Sequence, residues 1–265
     1  MAKKETAVAQ KESTDLATGF EEYGTTGFEN QTQDDYSIPW LAILEALSPA
    51  LDENKELRPG WLYNSATGEA YPEGIAFVPA TTKHCFVEFK PRGEGGGFVA
   101  THEPDSNVVQ DCKTNQDFGE YRVHGNDLIE TFYVYGVALE PDGGIIPMAI
   151  SFSGTRIKKY KNWMTKARTV QLTNAAGKRF PAPLFAHRYM LKTIADSSPK
   201  GKFNNWQITF DGATAAEARI DPQGDIVKEA RSMIELVRSG DVKLDQTAAG
   251  ATAPAPAPAE EGESF

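Results

Sequence analysis

Between Gly60 and Ser153 apolar and polar positions fall in short alternating runs, the period of half-buried strands rather than of helices. Ile75–Pro79 and Cys85–Lys90 are rich in β-branched and aromatic residues and predict two strands. Phe98–Thr101 follows a glycine turn and is placed to pair back on the preceding strand. Leu128–Leu139 is the longest strand expected, and the turn at Pro141–Gly144 returns the chain through Ile145–Phe152 as a hairpin.

On either side of this region the period changes. Leu41, Leu44, Leu47 and Leu51 recur at helical spacing and predict a helix that Pro49 limits. Ile157, Tyr160, Met164 and Ala167 step by three and four and predict a second helix with one apolar face. After a turn at Asn174–Gly177, Leu184–Ile194 and Phe203–Phe210 are expected to form another hairpin. Asp221-Pro222 opens a last helix through Ile226, Ala230, Met233, Ile234 and Val237, which Gly240 ends. Residues 1–35 keep no period and are read as a disordered arm. Residues 244–265 form a disordered Ala/Pro tether, with Pro254, Pro256 and Pro258, and an acidic tail. Residues 36–243 are left as one β-rich domain.

Composition supports a packed body, with 40% hydrophobic and 10% aromatic residues. No apolar run is long enough for a membrane span. Met1–Thr6 has no signal-type apolar region, so a cytoplasmic protein without a membrane role is expected. The net charge of −10 hides a strong asymmetry. Residues 151–210 hold twelve Lys and Arg against one acid, Asp196, a net +11. Solvated faces normally mix both signs, so this excess points to a polyanionic partner. Single-strand binders combine such cations with flat side chains on which bases stack. Aromatics are interleaved here: Tyr160, Trp163, Phe180, Phe185, Tyr189, Phe203 and Trp206. The candidate DNA-binding set is Arg156, Lys158, Lys159, Tyr160, Lys161, Trp163, Lys166, Arg168, Lys178, Arg179, Arg188 and Trp206. Lys90 and Arg92, beside the glycine loop Gly93–Gly97, join it because open backbone amides there suit a phosphate. A tight hairpin turn accounts for the same glycines.

Catalytic motifs are missing. The glycine loop lacks the Gly-Lys-Ser/Thr ending of a phosphate-binding loop, and no metalloprotease or hydrolase signature occurs. A non-enzymatic protein is expected, with no cofactor. Cys85 and Cys112 with His84, His102 and His124 offer zinc-type ligands, but without the close Cys pairs of structural zinc sites. At the other end, Glu260, Glu261, Glu263 and Phe265 make an acidic ending closed by an aromatic ring, a portable peptide for a basic-rimmed pocket.

The basic stretch 151–210 and the Glu260–Phe265 ending resemble bacteriophage single-stranded DNA-binding proteins. Val87–His102, following Ile38–Leu41 and Leu47–Pro49, also looks like phage early-region proteins of this length. The resemblance implies a mainly β (α+β) fold, an OB-like, partly open β-barrel with a few peripheral helices. It implies coating of single strands during phage replication, recombination or repair in the cytoplasm of an infected bacterium. Replication or recombination proteins would bind the tail; a homo-oligomer is compatible with the sequence, which does not fix the oligomeric state. This chain lacks the Asp-Asp-Ile-Pro-Phe ending of the bacterial proteins. Other readings are a phage regulator docking on host polymerase or recombination machinery, a strand-annealing recombinase and, last, a metal-dependent nuclease.

Overall fold

The computed structural model describes residues 37–91, 93, 95–114, 121–198, 201–240, 242 and 244, together with 23, 26, 27, 29 and 30. The chain divides into two compact units, Met1–Tyr36 and Ser37–Phe265. In the first, the N–H of Thr26 donates to the carbonyl of Tyr23 at 2.7 Å. Of the arm 1–35 only residues 23, 26, 27, 29 and 30 are described, and of the segment 244–265 only Leu244, which bridges Ile38 and packs on the core instead of beginning a free tether.

Two long antiparallel strands form the spine of the second unit: β4 (Ile75–Phe89) and β7 (Asn126–Leu139). Both carry apolar side chains on both faces, as strands covered on both sides do. At one end, β11 (Tyr189–Ser198) and β12 (Gly201–Phe210) extend the sheet from β4, and β8 (Ile145–Ser153) extends it from β7. At the other end β5 (Phe98–His102) pairs with β4, and β6 (Tyr121–Val123) with β7. A second sheet joins β1 (Leu41–Ile43), β2 (Leu62–Asn64) and β3 (Ala70–Tyr71). The body is mainly β with few helices, as expected, and its seven-stranded sheet is open rather than closed into a barrel.

The register between β4 and β7 shifts at Pro79, where Ala80 is the extra residue of a bulge. A proline has no N–H for the ladder, so a bulge is where an interior strand tolerates one. Opposite it stands Gly136, whose missing side chain lets the strands close in. A Cβ there would lie 2.3 Å from the Val78 carbonyl oxygen and 2.7 Å from Phe77 Cζ.

One face of the sheet is covered by the β1–β3 sheet and helix α3 (Ile157–Thr169), around Phe77, Ile150, Phe152, Leu191 and Trp206. Helix α2 (Asn107–Thr114) closes the far end of that face over Phe86 and Leu128. The opposite face is covered by α4 (Asp225–Ser239) through Val227, Ala230 and Met233. The short α1 (Ala50–Glu53) precedes β2.

Several elements depart from the sequence pattern. Where a helix was expected from Leu41 to Leu51, Leu41–Ile43 is a strand and only Ala50–Glu53 is helical. Trp40, Leu41, Ile43 and Leu44 are all buried, while Leu47 is exposed, so the leucine spacing did not mark a single face. Leu184–Ala186 is a 3-10 turn, and its strand begins only at Tyr189. Asp221 does not cap the last helix. Its carboxylate accepts from Gln223 N–H at 2.9 Å in a turn that delays α4 to Asp225. Gly240, at φ +83°, ends that helix as expected.

Candidate nucleic-acid interface

Helix α3 follows the turn Gly154–Arg156 at the end of β8. Ile157, Tyr160, Trp163, Met164 and Ala167 fall on one side at helical spacing and face the core. Trp163, 2% exposed, is the anchor. Its ring meets Tyr189 edge-on at 5.3 Å and lies 6.2 Å from Phe152 and 6.4 Å from Phe77. That inward face forces the remaining positions outward, and Lys158, Lys161, Asn162, Thr165, Lys166, Arg168 and Thr169 are exposed. The helix contains no acid, and Lys166 and Arg168 sit in its last turn, where cations complement the helix dipole. Lys161 lies over the Phe132 ring, 5.8 Å from its centroid.

Directly after α3 the chain forms a small hairpin, β9 (Gln171–Thr173) and β10 (Arg179–Pro181), paired with each other and not with the main sheet. The Asn174 side chain builds its turn, accepting from the N–H groups of Ala176 at 3.0 Å and Lys178 at 2.9 Å. From Gln171 to Pro181 every residue but Leu172 is exposed, so this is a projecting finger. It carries Lys178, Arg179 and Phe180 and no acid. Lys158, Lys161, Lys166, Arg168, Lys178 and Arg179 are therefore the exposed cations of helix and finger, a ridge continuous along the chain. None of the six has an ion-pair partner among the described residues.

Other members of the expected set are used elsewhere. Trp206 is 2% exposed, with its ring centroid 5.8 Å from that of Phe152. Like Trp163 it is a core residue with no face left for a base. Arg156, 5% exposed, is ion-paired with Glu45 and donates to the Asn204 carbonyl at 3.4 Å. Glu45 in turn accepts from the Asn204 backbone N–H, and burial, opposed by Arg156, raises its carboxyl pKa. The pair covers the outer edge of β12, so Arg156 has a structural task. Tyr160 is half-buried, stacked on Phe132 at 4.5 Å. Lys159 meets Asp196 at 3.6 Å, and Arg188 meets Asp211 at 3.3 Å.

Lys90 is exposed beside the glycine loop, but its own amide and that of Gly96 within the loop serve the turn itself. Lys90 N–H donates to Gly97 and Gly96 N–H to Pro91. Arg92 and the tail residues Glu260, Glu261, Glu263 and Phe265 lie outside the described residues.

Asp196 carried no assigned role, although being the sole acid in sixty residues marked it. Its carboxylate accepts from Asn205 Nδ2 at 3.0 Å and Ser197 N–H at 2.9 Å. The Asn205 bond, then the Ser197 bond, holds its pKa below the usual range.

The thiols lie on opposite faces of the sheet. Cys85 belongs to the α4-side core and Cys112 to the cluster beneath α2. Burial pushes the Cys85 pKa up to about 12 and raises that of Cys112, so both are held as thiols. Two histidines instead meet carboxylates, His84 with Glu130 at 3.0 Å and His102 with Glu88 at 2.7 Å. Among the described residues no cluster of three or more His, Cys, Asp or Glu is placed to hold a metal ion, and no helix is long and apolar enough to cross a membrane.

A family model described as Pam3 phage gp34-like protein matches residues 4–243. No curated protein and no solved structure matches the chain.

Proposed function

The chain belongs to the Pam3 phage gp34-like protein family, and for this bacteriophage protein we propose a role as a single-stranded DNA-binding protein that acts by binding rather than catalysis. The observation that carries the reading is the ridge of exposed cations from Lys158 to Arg179, without an acid on the helix or the finger. Six cations without carboxylate partners among the described residues suit a chain of phosphates, whose condensed counterions are released on binding. The preference for single strands comes from the likeness of the basic stretch and the acidic, Phe-terminated ending to proteins that coat single strands. In this reading the ending recruits replication or recombination proteins.

A second reading is docking on an acidic host protein, favoured by the ridge offering charge but few groups that read bases. Titration of a labelled oligo-dT at two salt concentrations separates the two. Single-strand binding gives tight association at low salt, a steep loss as salt rises, and loss of affinity in Lys158→Glu/Lys161→Glu/Lys166→Glu with unchanged circular dichroism. Absence of binding at low salt would overturn the reading.

A further inference from the structure

We infer that Phe180 is a base-stacking platform, and that the β9–β10 finger is what distinguishes a single strand from a bare polyanion. The inference rests on the single-strand reading above. The rings nearest the ridge are already in use: Trp163 among Phe77, Phe152 and Tyr189, Trp206 against Phe152, and Tyr160 on Phe132. Phe180 differs. It is 39% exposed and stacks on no other ring among the described residues. Its register partner is Leu172, so those two side chains share one face of the finger while Arg179 and Thr173 take the other.

A stacking site needs a free aromatic face with cations within a nucleotide's reach on either side. Lys178 and Arg179 precede Phe180 in the chain, and Arg168 lies at the end of the helix leading into the finger. The finger, cationic and without an acid, is repelled by cations and fits a strand whose phosphates flank the stacked base. Charge on the ridge binds any polyanion, and the ring adds a term only an unpaired base supplies.

The test compares oligo-dT with an abasic strand of equal length and charge. Wild-type protein is expected to prefer dT by roughly tenfold or more. Phe180→Ala brings dT affinity down to the abasic level and leaves abasic affinity unchanged. Phe180→Trp retains the preference and gains fluorescence that dT quenches and the abasic strand does not. The inference is overturned if Phe180→Ala keeps the wild-type ratio, or if it lowers both affinities alike, as a purely structural role would. Failure of wild type to bind either strand overturns the single-strand reading itself.

Discussion

Arg156 and Glu45 form an ion pair that grips both backbone groups of Asn204 on the outer edge of β12. An edge strand left bare is a template for another chain, and here two side chains imitate the missing neighbour. Arg156→Ala removes a buried side chain along with one half of the pair. It is expected to lower unfolding free energy by about 2–3 kcal/mol, below the fully buried case because Glu45 is partly exposed. The double variant Glu45→Ala/Arg156→Ala frees the edge at Asn204 and is expected to self-associate with concentration more strongly than wild type in analytical ultracentrifugation.

Gly136 faces the bulge of β4 with no room for a methyl group. Because the nearest atom is the backbone oxygen of Val78, side-chain motion cannot relieve the clash. Gly136→Ala is expected to destabilise by about 3 kcal/mol or more, read from the urea midpoint.

Asp196 holds Lys159 back from the ridge while two other donors fix the carboxylate in place. Asp196→Asn frees that cation. The expected result is about two- to threefold tighter binding to oligo-dT at low salt and a salt slope steeper by about one counterion. Unchanged affinity and slope would place Lys159 outside the phosphate path.

Glu88 predicts a pH dependence of stability. Burial pushes its carboxyl pKa up, but bonds from Asn126 Nδ2 at 2.5 Å and His102 Nε2 at 2.7 Å outweigh it, and the folded value lies below the ordinary 4.5. A carboxyl lowered on folding stabilises at pH above its unfolded value. Its contribution is lost as pH falls through 4.5 toward the folded pKa. Urea midpoints of the wild type are therefore expected to drop on acidification through that window, and Glu88→Gln to show a shallower drop.

Strands were legible where local chemistry and burial agree, as in Leu128–Leu139 or Ile145–Phe152, and so was the glycine stop of α4. Trp40–Leu44 was misread because a short segment buried on several sides shows no period to choose by. Helix α2 was missed because Asn107–Thr114 is mostly polar and offers only Val108, Val109 and Cys112 to the core. Charge on the candidate site was visible in the sequence, since a run of one sign does not depend on packing. Aromatic exposure was not. Trp163 and Phe180 are both aromatic residues in a basic stretch, and only the position of Phe77, Phe152 and Tyr189 around one of them separates core from surface.

The finger leaves and rejoins the body at nearly one point, where Ala182 N–H donates to the Val170 carbonyl at 3.0 Å. Everything between those residues is a detachable cassette: its length, charge and ring can be rewritten, or replaced by a short turn, without re-threading a strand of the main sheet. A finger exchanged at that point would change what the ridge grips and leave the pairing of the main sheet as it is.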